Sequence, residues 1–251
     1  MLIKHAIQIF RVTSLIVILF AVSPLAKADI DSNVSLLEEA ANNGDIESQT
    51  KLGAIYIFGP KEKRNIKKAF FWLDKATEKN YGPAEYLSGM VFMGQKNDSD
   101  SIKLGSAYLM KSSMHGCAGA SGILGNVFLA ASKRNPNLES KAISFVIKGA
   151  KGGDYMSRFL LAKLTSTGNK FIKKDLITAH AWLEFSRAEQ PNHRASQMTE
   201  KLYSSLNEAM SNSDRKKSKN LALDLKNKFG KIKYELCSQS IPDDILKYVV
   251  K

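Results

Sequence analysis

The sequence predicts an all-α protein, an array of about four helical hairpins with further helices closing its C-terminal end. Three observations carry this expectation. Short polar junctions recur at Gly44, Asn80, Gly116 and Gly153, at spacings of 36, 36 and 37 residues. Small and aromatic residues recur at fixed distances after each junction. Within each half of a unit the marked positions fall a helical turn apart and do not alternate as strand residues do. A period of this length marks stacked units, each burying a face against the next.

The chain opens with a segment that is not part of the array. Lys4 and Arg11 precede the apolar run Val12–Val22, and Ala26-Lys27-Ala28 supplies a small-x-small cleavage pattern, so residues 1–28 read as a signal peptide and the mature chain starts at Asp29. The uncharged run of 11 residues is well short of the roughly 20 that a spanning helix needs. No cysteine follows it to carry a lipid, and no later segment is apolar enough to span. An exported product is the consequence: periplasmic or secreted, with no transmembrane segment after cleavage.

Residues 29–188 form the array, in units at about 36–75, 76–112, 113–149 and 150–188. Four residues after the junctions stand Ser48, Ala84, Ala120 and Ser157, and nine after them Gly53, Gly89, Gly125 and Ala162. Gly89 sits inside an apolar helical run, where glycine costs roughly 1 kcal/mol relative to alanine. Its column marks a close approach between helices. Twelve after the junctions come Tyr56, Phe92, Phe128 and, out of pattern, Thr165. The second halves carry Ala69, Gly105, Ala142 and Ala179, each followed three residues later by Trp72, Tyr108, Phe145 or Trp182. Asn65, Ser101 and Asp175 are expected to cap the second helices. Gly59, Gly94 and Gly168 are expected to close first helices as C′ glycines. Beyond Trp182 the columns lapse, and residues 189–251 read as two capping helices and a tail, with a last short helix after Pro242.

The columns resemble the Sel-one-like repeat, a longer-looped relative of the tetratricopeptide repeat. "KLGAIYIFG" (Lys51–Gly59) followed by "NIKKAFFWLDKATEKN" (Asn65–Asn80) carries the resemblance best, and "DLITAHAWLEFSRA" (Asp175–Ala188) repeats its Asp, Ala and Trp. Two departures stand out: "GPKEKRN" replaces the usual glycine turn, and Asn80 stands where glycine is normal. The resemblance implies a right-handed α-solenoid acting as a non-enzymatic adaptor or scaffold for a protein partner. By analogy with tetratricopeptide grooves, it places a partner-binding face on the first helices, at Ile57, Tyr86, Met90, Met93, Asn126, Phe159 and Lys163, with Glu47, Thr50, Ala54, Leu129 and Met156 beside them. The alternative is that the C-terminal helices fill this groove and the same residues are core.

The formal charge of +13 falls to +10 once Lys4, Arg11 and Lys27 leave with the signal peptide. Residues 81–188 hold 14 bases against 7 acids. This basic middle allows weak electrostatic contact with anionic polysaccharide or lipid, or amounts simply to solvated lysine faces; export argues against nucleic acid. Cys117 and Cys237 are the only cysteines, either a disulfide in an oxidising compartment or two buried thiols. Their spacing matches no metal site, and no cofactor or phosphate-loop motif is present. His180 with Glu184 reads as a helix-face pair at the surface, and His115 and Cys117, two apart, point to different sides of a helix. No catalytic constellation results. Some cysteine-rich relatives are associated with β-lactams, which leaves a cell-wall enzyme as the alternative activity, although paired cysteines in every unit are lacking here.

Overall fold

The computed structural model describes residues 24–94, 99–187, 193–230 and Cys237, and its regular elements are all helical among those residues. Helix α1 (Pro24–Asn42) leads into four hairpins. They are α2 (Ile46–Phe58) with α3 (Ile66–Thr77), α4 (Gly82–Gly94) with α5 (Ser99–Met114), α6 (Ala118–Ser132) with α7 (Glu139–Gly152), and α8 (Tyr155–Thr167) with α9 (Leu176–Arg187). Helices α10 (His193–Ala209) and α11 (Asn212–Phe229) follow. The hairpins begin several residues later than the sequence-based unit bounds, each of which includes the end of the preceding helix. Helix α1 includes Ala28 and Asp29, so the expected signal-peptide boundary falls inside it.

All four junction residues adopt left-handed backbone, with φ of 91° at Gly44, 55° at Asn80, 98° at Gly116 and 108° at Gly153. The same hydrogen bonds close the first three. Asp45, Tyr81 and Cys117 donate their N–H to Ala40, Ala76 and Ser112, while Gly44, Asn80 and Gly116 donate to Ala41, Thr77 and Ser113. These are paired 6→1 and 5→2 bonds of a Schellman motif. The fourth junction shares the long bond, Asp154 N–H to Gly149 O at 2.9 Å. The period of about 36 residues is therefore the recurrence of one helix-ending motif. Asn80 is the only non-glycine residue with positive φ among the described residues, and asparagine tolerates that conformation better than most.

Each first helix packs against the second helix of its own hairpin, and the small columns are where they touch. A Cβ at Gly89 would lie 2.8 Å from Leu109 Cγ and 3.1 Å from the Gly105 carbonyl; a Cβ at Gly105 would lie 2.9 Å from the Met93 backbone nitrogen. Two backbones thus approach directly at this crossing. Ala69, Ala142 and Ala179 are buried in the corresponding places. The aromatic columns meet beside them: Phe92 stacks on Tyr108 at 5.8 Å and Phe128 on Phe145 at 5.6 Å. In unit one, the Asn65 N–H reaches the Tyr56 carbonyl (2.9 Å), and in unit four the Asp175 N–H reaches the Thr165 carbonyl (2.9 Å). Thr165 breaks the aromatic pattern but keeps this backbone contact.

Several expected caps differ. Asn65 and Asp175 do cap, accepting from the Lys68 and Thr178 N–H groups. Ser101 does not, because α5 begins at Ser99 and buries Ser101 within its first turn. Gly59 is extended (φ −61°, ψ −176°) and Gly94 is still within α4, so among the described residues only Gly168 (φ 71°, ψ 162°) ends a first helix with a positive φ. The "GPKEKRN" loop is instead held by the Arg64 Nε–H donating to the Gly59 carbonyl at 2.7 Å. Unit three makes its turn through a short 3-10 segment, Pro136–Leu138, capped by Asn135.

The core is a chain of three clusters in place of one centre. One joins Val34 and Ala41 of α1 to Leu52, Ile55 and Trp72. The second runs through units one to three, and the third joins units three and four to α10 and α11. Both α10 and α11 pack on α9, α11 more extensively, with Phe229 6.2 Å from the Trp182 ring. The two expected capping helices are thus in place at the array's end. The expected helix after Pro242 lies outside the described residues.

Candidate protein-binding face

Two pairs of first helices from successive units touch, α2 with α4 and α6 with α8, while no pair of second helices packs to the same degree. The layer whose like elements stand closer is the inner, concave one, which puts α2, α4, α6 and α8 there.

The structure sorts the expected face residues into different environments. Asn126 and Lys163 are exposed, with the Asn126 Nδ2–H donating to the Gly122 carbonyl one turn back. Ile57 and Met90 are half-buried against the central cluster, and Phe159 against the third. Met93 turns toward its own hairpin partner: it lies against Gly105, and Ser106 Oγ reaches its sulfur at 3.7 Å. Tyr86 is 3% exposed and belongs to the core. The expectation that helix phase alone would line the groove with Tyr86 and Met93 overlooks what covers them.

The cluster that buries Tyr86 includes a residue from the far end of the chain. The structure joins Cys117 and Cys237 in a disulfide, with Cα atoms 5.1 Å apart, and Cys237 lies buried in the cluster that contains Tyr86, Leu87 and Leu124. Its carbonyl sits so close to Gly119 that any Cβ there would collide with it; the Tyr86 hydroxyl would be 3.2 Å from the same Cβ. Cys117 precedes α6 without capping it and, as half of the disulfide, is no free nucleophile.

Two buried polar groups on this layer have no motif in the sequence. Glu85, 1% exposed, meets His115 Nδ1 through Oε2 at 2.6 Å, tying the start of α4 to the end of α5. Asp154 is fully buried as the cap of α8, accepting from the Ser157 N–H at 2.7 Å and from its hydroxyl at 2.5 Å. Burial pushes its carboxyl up to about 6, against the opposing effects of Ser157 and Arg158. Glycines at 122 and 149 leave room for it: a side chain on either would strike Asp154 or Ser157. Arg158, also fully buried, donates from Nε to the Ala150 carbonyl at 3.1 Å and lies 3.6 Å over the Phe185 ring. Burial, and next the Asp154 charge, raise the Tyr86 hydroxyl well above its ordinary value. The sequence does not single out Asp154, because its burial depends on Gly122 and Gly149 of the preceding hairpin.

His180 corrects a second expectation. It is fully buried, with Nδ1 2.5 Å from Ser218 Oγ and Nε2 3.1 Å from Asn207 Oδ1. Glu184 instead accepts from Tyr203 at 2.5 Å. The imidazole is a clasp between α9 and the two capping helices, and burial lowers its pKa. Among the described residues no three His, Cys, Asp or Glu side chains come together as a metal site, and no helix is long and apolar enough to cross a membrane.

An inner layer of first helices, an outer layer of second helices and a left-handed residue at every junction define a helical-repeat solenoid, a class whose extended concave surfaces serve binding. The family model for the Sel1 repeat matches residues 46–81 and 156–187, the first and fourth hairpins. Those two hairpins are similar to Sel1 repeats, and repeats of this kind generally mediate protein–protein interaction on a scaffold that is typically non-enzymatic. The Sel1 repeat protein from Oxalobacter formigenes has a similar solved structure, with TM-score 0.59 and 20% identity, covering 78% of this chain and 79% of that one. At that identity the likeness shows the fold alone. A protective antigen of uropathogenic Escherichia coli with an SLR fold, c5321, aligns at TM-score 0.45 and 17% identity over 78% of this chain. This chain spans only 48% of that one. No curated protein sequence matches the chain.

Proposed function

We propose that the protein is an exported, non-enzymatic adaptor that binds another envelope or host protein through its concave face. The observation that carries this is the inner layer of first helices, which presents exposed polar residues, Asn126 and Lys163, beside half-buried Ile57, Met90 and Phe159. Apolar anchors within a polar rim are the usual composition of a protein interface. Export is supported by the sequence pattern at Ala26–Ala28, and the α1 residues seen packed in the first cluster, Val34, Leu37 and Ala41, all lie beyond it. N-terminal sequencing of protein recovered outside the cytoplasm should begin at Asp29; an intact Met1 would overturn the export reading.

The test of the binding face is a paired substitution, Asn126→Glu with Lys163→Glu, made where the side chains are exposed and the fold tolerates change. Partner capture should be lost with the thermal melt unchanged, while Lys103→Glu on the outer helix α5 retains capture. Equal capture by all three proteins would sink the proposal.

A further inference from the structure

We propose that the end of the array carries a second binding site, a cationic cleft between α10 and α11 that takes an acidic, apolar-faced peptide segment of a protein partner. The site lies apart from the concave face and does not depend on that reading. Its geometry begins at His180, where three helices meet. The imidazole reaches Asn207 of α10 and Ser218 of α11, and Arg215 of α11 donates to the Asn207 carbonyl beside it. One turn further along α9, Glu184 accepts from the Tyr203 hydroxyl of α10, and beyond it the Arg187 Nε–H donates to Glu200 of α10. Helix α11 supplies the facing wall through Lys219, Leu223 and Lys226. Both capping helices pack on α9 far more than on each other. The gap between them is a cleft of about 500 Å³ whose floor is Glu184 and Phe185 of α9.

The two walls differ in charge. Arg187 is taken up by Glu200 at 2.6 Å and Glu184 at 3.7 Å, and its guanidinium lies 3.9 Å over the Tyr203 ring. The acids of α9 and α10 at the cleft are thereby neutralised from within. Lys219 and Lys226 on the other wall are exposed, and neither forms an ion pair among the described residues. Between them stands Leu223, 61% exposed. Positions 219, 223 and 226 follow helical spacing and share one stripe of α11. A lone exposed leucine needs no explanation, but this one is set between two uncompensated cations at the lip of a cleft. A helical segment with carboxylates seven residues apart and an apolar side chain between them matches the stripe, because seven residues span about 10 Å along either helix. Its carboxylates meet Lys219 and Lys226, and its apolar side chain covers Leu223 beside Ala222 and Tyr203. A polyanion without apolar groups satisfies the lysines alone and leaves Leu223 in water. The pairing of apolar anchors with charges is what favours a peptide helix laid in a groove.

The test is fluorescence anisotropy on the full chain with two fluorescein-labelled probes, the peptide LEELLEELLEEL and polyglutamate of the same length. The first should bind, and polyglutamate should bind at least tenfold more weakly. Lys219→Glu with Lys226→Glu should weaken the first peptide at least tenfold. Lys103→Glu with Lys111→Glu, the same charge change at exposed positions of α5, should leave it within twofold. Leu223→Ser, which keeps every charge, should weaken the first peptide and leave polyglutamate unchanged; it decides the matter if the Lys219, Lys226 pair melts early by circular dichroism. No binding of the first peptide, equal binding of polyglutamate, equal weakening by the α5 pair, or no effect of Leu223→Ser would each overturn the site.

Discussion

Asn80 shows at single-residue scale how the array is registered. Its φ of 55° is the left-handed value that glycine supplies at the other three junctions. A residue with an ordinary Cβ meets a cost of roughly 1–2 kcal/mol there, while asparagine is among the most tolerant. Asn80→Gly should hold or raise stability, and Asn80→Ala should lower it by about 1 kcal/mol, both read from urea unfolding. Asp154 makes a second residue-scale prediction. Its pKa is raised to about 6 by burial, above the ordinary unfolded value near 3.9. The folded state therefore holds the proton more tightly, and the stabilisation is complete below about pH 4 and lost as pH rises through 6. The stability difference between wild type and Asp154→Asn should shift against wild type over that window, by on the order of 1–3 kcal/mol, and stay flat above pH 7. A difference independent of pH from 4 to 7 would contradict the buried protonation.

At the scale of elements, the Gly89–Gly105 crossing fixes how closely α4 and α5 pack. A leucine at position 89 has no space, since even a Cβ meets Leu109 and the Gly105 carbonyl. Gly89→Leu should lose about 3 kcal/mol, and retention of wild-type stability would refute the close approach. The C-terminal clasp makes a different claim. His180 is buried between Asn207 and Ser218 with its pKa lowered. The unfolded state takes up the proton first, so stability falls as pH drops below about 6.5. Protection factors in α10 and α11, which take out the intrinsic slowing of exchange in acid, should fall on acidification from pH 7 to 5.5, and His180→Leu should abolish that dependence.

These elements also show where sequence reasoning reached and where it stopped. The hairpins, the small columns and the Asn65 and Asp175 caps were legible because each depends on neighbours a few residues away or on a regular period. Ser101 was misplaced by the same local logic, since a serine before an apolar run looks alike as a cap or as a first-turn residue. His180 read as a surface residue because helix phase cannot show that Asn207 and Ser218 return to cover it. Tyr86 reads as a groove residue for the same reason: its phase on α4 is inner, but it lies in the central cluster, which includes Cys237 from the other end of the chain. The buried Asp154 cap was not legible, because the Gly122 and Gly149 positions that leave room for it belong to other helices.

At the scale of the whole molecule, the protein is a stack of helical hairpins whose inner helices are the proposed binding surface, and Cys237 is joined to Cys117 at the start of unit three. The stack's clusters are successive and no single centre holds it, so changes in one unit should be felt mainly by its neighbours. The most direct test of the concave-face account is a photocrosslinking comparison on intact protein returned to its exported fraction. With p-benzoylphenylalanine at Asn126 on the inner layer, a discrete crosslinked partner protein should form, and with the same probe at Ile102 on the outer layer it should not. A partner joined from Ile102 and not from Asn126 would contradict the account.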